Sequence, residues 1–323
     1  MKKSKVILSA VILGLTITSQ TNTLVALADE TSDVTTSEAV IADAQDTTKA
    51  VTTDNTETAT TTNEQNSTKQ KTNPDSNYTD LIDENVGLRD TYEAPRALVL
   101  VPGLGGTVDT YDYMAQNILT HTTMNLVHVY VQNDGTVRYT KPLNMNTDQT
   151  KTIFMMGFEN NGDALDNLKI QTDLFNKGMK SITENYGITD FDAVGYSNGG
   201  IVLTRYLEND YQDNTNVIHN FVSIATPYNN RDDTTTPSSA YYEDMTSKSS
   251  SLPYDVNVTN IIGLLTPTSD GYIPRTSAES GKGIFEGHVE SFEQVYVEGQ
   301  KASHGKNVNN PETWDTIENI VRK

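Results

Sequence analysis

Apolar positions in this chain follow two rhythms, and its first quarter follows neither. Ala97-Leu98-Val99-Leu100-Val101 is an unbroken apolar run, as expected of a strand covered on both faces. Residues 124–132 and 136–139 read as strands joined by the hairpin turn Asn133-Asp134-Gly135. Residues 152–156, 217–225, 258–265 and 289–297 supply further strand-like runs, and a short one ends at Val194. In Leu165–Tyr186 the apolar residues Leu168, Ile170, Leu174, Phe175, Met179 and Ile182 recur at helical spacing. Helices are also predicted around residues 111–119 and over Pro311–Val321. Strands alternating with helices predict an α/β class, with a mostly parallel sheet and helices on both faces.

The rhythm fails at two places. Residues 1–28 place Lys2, Lys3 and Lys5 before an apolar core at 6–17 and end in Ala26-Leu27-Ala28, the form of a cleaved secretory signal. The apolar run is short for a bilayer span. Residues 29–77 are rich in Thr, Ser, Asn, Asp and Glu and hold no aromatic residue. Such a stretch cannot bury enough apolar surface to offset its ordering entropy, and it reads as a disordered stalk. Residues 78–323 are then one domain with room for a substantial core. Inside it, the polar stretch 228–257 is too long for an ordinary connection and reads either as a cap over a site or as a disordered insertion.

Composition sharpens this picture. The chain holds 23 basic and 43 acidic residues, a formal charge of −20. Residues 1–28 carry +3 and residues 29–78 carry −7, which leaves −16 on the remainder. A domain this acidic is not built to bind nucleic acid or an anionic membrane surface. There is no cysteine, so no disulfide can form and stability must come from the core. Together these features predict a secreted or cell-surface protein, with a stalk able to associate with a cell wall.

Candidate chemistry centres on Gly195-Tyr196-Ser197-Asn198-Gly199, a G-x-S-x-G pattern. Five residues of this kind can match by chance. Here a strand-like run leads in, and Ile201, Val202, Leu203, Tyr206 and Leu207 form a helical apolar face behind. A serine on such a turn is lifted clear of the sheet, with the first free helix amides, beginning with Asn198, aimed at the carbonyl it attacks. The hydroxyl needs a base, and the base needs an orienting group. Of five histidines, His121, His128 and His219 come too early in the chain, leaving His288 and His304. His304 stands in a predicted loop after the last strand, whereas His288 enters a strand, so His304 is preferred. Asp270, in an Asp-Gly turn soon after the 258–265 strand, is the candidate acid, with Asp255 and Glu279 as rivals. The glycine-rich turn 102–107 lacks the Lys-Ser/Thr ending of a phosphate loop. It fits an oxyanion loop, with the Leu104 amide as its donor.

These pieces resemble the α/β-hydrolase superfamily, and in particular a family of uncharacterised bacterial, often cell-surface, α/β hydrolases. The resemblance rests on Val101-Pro-Gly-Leu-Gly-Gly-Thr107, Phe158-Glu-Asn-Asn161 with Gln171, Val194-Gly-Tyr-Ser-Asn-Gly-Gly200, Ala225-Thr-Pro-Tyr228, Asp270-Gly-Tyr-Ile-Pro274 and His304. Pro102 stands where the family usually has His, and Tyr196-Ser197-Asn198 replaces the usual His-Ser-Met. The resemblance implies serine hydrolase chemistry without naming a substrate. The expected activity is cleavage of a carboxylic ester, in a small molecule, a lipid or another acylated compound, through an acyl-enzyme on Ser197. His304 would serve as base, Asp270 as its orienter, and the Leu104 and Asn198 amides as the oxyanion hole. No metal or cofactor is called for. Acyl transfer or peptide cleavage by the same triad, and a non-catalytic binding module on this scaffold, remain the alternatives.

Overall fold

In β1 (Ala97–Val101) successive side chains enter opposite cores. Ala97, Val99 and Val101 join one apolar cluster, while Leu98 and Leu100 join another. Period-two alternation with both faces covered is the reason the run is unbroken. The computed structural model describes residues 96–209 and 216–322. The signal-like segment 1–28 and the stalk 29–77 lie outside the described residues.

The other strands are β2 (Asn125–Val131), β3 (Val137–Leu143), β4 (Thr152–Phe158), β5 (Asp190–Tyr196), β6 (Val217–Ile224), β7 (Asn257–Leu264) and β8 (Ser291–Glu298). They form one eight-stranded sheet in the order β3-β2-β4-β1-β5-β6-β7-β8. β3 runs antiparallel to β2, and every other pairing is parallel. The hairpin turn is where the sequence places it. Gly135 has φ +88° and the Thr136 amide donates to Asp134 Oδ1 at 2.8 Å.

The helices are α1 (Asp112–Leu119), α2 (Leu165–Tyr186), α3 (Asn198–Asn209), α4 (Ala240–Thr246), α5 (Arg275–Glu279), α6 (Lys282–Phe285), α7 (His304–Asn307) and α8 (Pro311–Val321). One face of the sheet packs on α2 and α3 through Leu168, Phe175, Ile201 and Tyr206. The other packs on α1 and α8 through Met114, Ile118, Ile317 and Val321. Full burial of each such side chain is worth about 1.5–3 kcal/mol. Helix α2 has the bounds its periodicity predicts, ending at Gly187 in the left-handed conformation (φ +70°). Ile170 departs from the pattern, because it lies off the stripe formed by Leu168, Phe175, Met179 and Ile182 and stays exposed. Among the described residues, no helix is long and apolar enough to cross a membrane.

Segment 228–257 is ordered and carries α4 and a turn of 3-10 helix at Ser249–Ser251. Tyr228, Tyr241, Met245, Leu252 and Val256 sink into the same core as α2 and α3. Its early residues Asn230 and Arg231 border the cleft described next. The four helices α4 to α7 have four to seven residues each, too few turns for a 3.6-residue period to show in the sequence.

Candidate active site

The carboxyl ends of the parallel strands converge on Ser197, the first residue after β5. Ser197 has φ +53°, a conformation that costs a non-glycine residue energy and is held here by its surroundings. Its amide donates to Ile224 O at 2.8 Å, and its carbonyl accepts from the Gly200 amide at 3.0 Å. The flanking glycines are steric requirements. A Cβ on Gly195 would stand 2.6 Å from the Gly199 carbonyl carbon, and one on Gly199 would stand 2.2 Å from Val101 O. Gly200 is equally constrained, since a Cβ there would come within 2.0 Å of Thr226 Oγ1. Real Cβ atoms do not approach so closely, so the strand-to-helix turn exists only with glycine at these positions.

Three sequence-selected side chains meet here. His304 Nε2 is 3.1 Å from Ser197 Oγ, and His304 Nδ1 is 2.7 Å from Asp270 Oδ2. Ser197 and Asp270 are buried, and His304 opens onto a cleft. An ionised carboxylate can only accept, so Asp270 fixes the neutral imidazole with its proton on Nδ1 and leaves Nε2 free to accept from Ser197. Asp270 is itself held, with Oδ1 accepting from the amides of Tyr272 at 2.9 Å and Ile273 at 2.6 Å. The His304 amide donates to the Asp270 carbonyl at 2.9 Å. His304 therefore begins the one-turn helix α7 and is not part of an open loop.

Tyr196, the residue before the serine, braces the imidazole from behind. Its hydroxyl donates to His304 O at 2.8 Å and its ring centroid lies 5.2 Å from the His304 ring. Burial, with the Asp270 charge adding to it, pushes the Tyr196 hydroxyl far above its ordinary range, so it stays a neutral donor.

The loop after β1 passes over the serine. A Cβ on Gly103 would touch Ser197 Cβ at 2.7 Å, so this backbone approaches closely only as glycine. The Gly105 amide donates to Asn161 O at 2.9 Å, and Asn161 Nδ2 donates to Gly106 O at 3.3 Å. Gln171 Nε2 in turn holds Gly162 O at 2.8 Å. The polar residues after β4 thus fix the loop that carries Leu104, which borders the cleft beside Ser197.

The rivals lie elsewhere. Glu279 accepts from Arg275 Nε and from the Tyr296 hydroxyl, both at 2.7 Å. Asp255 precedes β7, and His288 precedes β8 next to Glu290, whose amide bonds Val256 O. Both therefore sit at the end of the sheet away from Ser197. His121 pairs with Glu318 at 2.8 Å, and His219 with Asp190 at 2.7 Å. His128 lies 3.6 Å from both Asp109 and Asp112, the one group of potential metal ligands among the described residues. It lies on β2 and the approach to α1, three strands from β5.

Two arms of a cleft adjoin Ser197. The larger, about 380 Å³, is bordered by Leu104, Tyr196, Tyr272, His304 and Gly305. The smaller, about 10 Å³, is bordered by Asn198, Asp163, Asn230, Arg231 and others. A groove of about 590 Å³ between α4 and α5 contains none of the three converging residues. Sequence reasoning missed Asp163, Tyr272 and Arg231 as parts of the site. Asp163 follows the Asn161-Gly162 step without any motif of its own, and Arg231 is one charge in a polar stretch.

A family profile described as "Alpha/beta hydrolase of unknown function (DUF915)" matches residues 88–323. Comparison with curated proteins gives no match. The structure is similar to that of a Listeria innocua gene product, with TM-score 0.63 and 23% identity over 71% of this chain and 92% of that one. It is also similar to a Lactobacillus plantarum protein described as a candidate cell surface hydrolase. That likeness has TM-score 0.61 and 26% identity, over 73% of this chain and 91% of the other.

Proposed function

The chain belongs to this family of α/β hydrolases, and we propose that it is a secreted serine hydrolase that cleaves a carboxylic ester. The observation that carries the proposal is the continuous hydrogen-bond path Ser197–His304–Asp270 at 3.1 and 2.7 Å, drawn from three separate strand ends.

The chemistry follows from that path. His304 Nε2 takes the Ser197 proton as Oγ attacks the ester carbonyl, and Asp270 stabilises the imidazolium that forms. The negative charge gathering on the carbonyl oxygen falls to the amides of Leu104 and Asn198. His304 then gives the proton to the leaving alcohol, and water repeats the sequence to release the acid and restore Ser197. The signal-like residues 1–28 support export, and the stalk would hold the domain clear of the cell.

A fluorophosphonate reagent should label the mature protein once, at Ser197, and Ser197→Ala should abolish labelling while the circular dichroism spectrum is unchanged. Labelling of the alanine variant would remove Ser197 from the mechanism. Amino-terminal sequencing of the exported protein should begin after Ala28; retention of residues 1–28 would overturn the cleaved-signal reading.

A further inference from the structure

On the serine-hydrolase reading just proposed, the small space beside Asn198 is where the oxyanion forms. Leu104 and Asn198, whose amides are the two proposed donors, border it together with Ser197. Tyr272 borders it too, and its side chain ends in a hydroxyl, a donor of the kind that serves oxyanions. The same residue borders the larger arm.

Tyr272 is 45% exposed, yet its backbone, ring and hydroxyl are each held. Its amide donates to Asp270 Oδ1 at 2.9 Å, which ties its backbone to the proposed acid. Its ring centroid lies 5.0 Å from that of His304, the proposed base. Arg231 Nη1 donates to its hydroxyl, and the guanidinium lies 5.2 Å from its ring centroid, within cation–π range. Arg231 is anchored in turn, with Nη2 3.3 Å from Asp163 Oδ2. Asp163 Oδ1 accepts from Asn198 Nδ2 at 3.3 Å and from the Tyr241 hydroxyl at 3.1 Å. Burial pushes the Asp163 carboxyl up, but the Ala164 amide, Asn198, Tyr241 and Arg231 together outweigh it and hold it below the ordinary carboxylate range. An ionised carboxylate can only accept, so these donors stay turned toward it. Ala164, the next residue, has φ +76°, a strained conformation for a non-glycine residue that the surrounding contacts hold. One carboxylate thus fixes Asn198 and, through Arg231, the Tyr272 hydroxyl.

The direction of one hydrogen bond sets what this hydroxyl can do. A guanidinium donates and cannot accept, so the Tyr272 oxygen is the acceptor and its own proton is left for another partner. Among the described residues the Tyr272 hydroxyl donates to none. We propose that the Tyr272 hydroxyl is a third donor to the oxyanion, beside the Leu104 and Asn198 amides, and that Arg231 is the positioning residue that aims it. As Ser197 Oγ bonds the carbonyl carbon, the C=O π pair moves onto the oxygen and the Ser197 proton goes to His304 Nε2. The Tyr272 hydroxyl stabilises that oxygen and keeps its proton. The pair then returns, the bond to the alcohol oxygen breaks, and His304 protonates the leaving alcohol. Attack of water on the acyl-serine forms a second oxyanion in the same place, so the hydroxyl serves both steps.

Tyr272→Phe removes the hydroxyl and keeps the ring beside His304 and Arg231. With 4-nitrophenyl acetate as substrate, kcat of the mature protein should fall roughly 100-fold with KM nearly unchanged, because acylation and deacylation lose the same donor. Affinity for phenyl trifluoromethyl ketone, which Ser197 converts to a hemiketal oxyanion, should fall by about the same factor. A hydroxyl that only supports the fold would lower the melting temperature without moving that affinity. A kcat loss under about tenfold, or one without a matching loss of ketone affinity, overturns the proposal. Arg231→Lys keeps the charge but loses the two-ended fork. It should lower kcat roughly tenfold in the wild type and no further in Tyr272→Phe, since it acts through the hydroxyl. Equal losses in both backgrounds overturn the positioning role. If Tyr272→Phe does not fold, Arg231→Lys decides alone, by the same match between kcat and ketone affinity. Labelling at Ser197 with wild-type kinetics in both variants sinks this inference only, whereas no labelling and no turnover by the wild type sinks the serine-hydrolase reading and this inference with it.

Discussion

The hydroxyl of Tyr196 donates to the backbone carbonyl of His304 at 2.8 Å, so the residue before Ser197 holds the proposed base. This contact spans 108 positions of sequence and shares its histidine with Ser197 and Asp270. Tyr196→Phe keeps the ring against His304 and removes one hydrogen bond, worth about 0.5–1.5 kcal/mol. Turnover of an aryl ester should fall roughly 3- to 10-fold, with fluorophosphonate labelling of Ser197 retained. A loss as deep as that of Ser197→Ala would show that the tyrosine takes part in proton transfer.

The two late histidines separate cleanly. His304→Ala should reduce turnover by roughly 10⁴-fold, close to the loss of the serine, because members of a triad act as a unit. Asp270→Asn should be comparably severe through the wrong tautomer. His288→Ala should change little, since its position before β8 is at the far end of the sheet. Steady-state turnover of each folded variant checks this, and an inactive His288→Ala beside an active His304→Ala would reverse the assignment.

The elbow glycines predict a stability effect. Gly199→Ala places a methyl 2.2 Å from Val101 O, and relieving that overlap should cost about 1–3 kcal/mol or more. Gly305→Ala meets nothing within 4 Å and serves as the control. Thermal melting should show a clear drop for the first and almost none for the second. Equal melting temperatures would mean the turn relaxes freely.

A fourth prediction concerns pH. Glu208 on α3 is buried beside Arg205, which is ion-paired to Asp244, and Lys248. Burial pushes its carboxyl up to about 8, although Arg205 and Lys248 pull the other way. The folded chain therefore holds a proton that the unfolded chain, with an ordinary carboxyl near 4.5, releases. Its contribution to stability is full below about pH 4.5 and lost as pH rises toward about 8. Glu208→Gln should flatten the fall in melting temperature between pH 5 and 8, and an unaltered slope would assign the proton elsewhere.

Apolar runs located the eight described strands and helical spacing located the long helices, because each element has enough residues to show its pattern. The G-x-S-x-G pattern located Ser197 because the sharp turn itself requires glycine at 195, where a Cβ would meet Gly199, while Gly199 answers to Val101 on β1. His304 and Asp270 were found by chain order and strand ends. Tyr196, Asp163 and Arg231 escaped because their roles depend on partners far away in sequence: His304, Tyr241 and Tyr272. Nothing local to a residue encodes such a meeting. Segment 228–257 was open between two readings for a related cause, since its apolar residues are spaced for a core built by other elements.

The separation of Ser197 from His304 also bears on assembly. His304 follows β8, which among the described residues pairs with β7 alone, so the proposed base is delivered by the last described strand in sequence. Contacts of such long sequence separation form late because their loop-closure entropy is large. On the proposed mechanism, a chain interrupted before residue 304 would carry Ser197 without its base and should turn over no ester. Recovery of the proposed hydrolase activity during refolding should accordingly lag behind recovery of helical signal, making turnover a reporter of the final docking step.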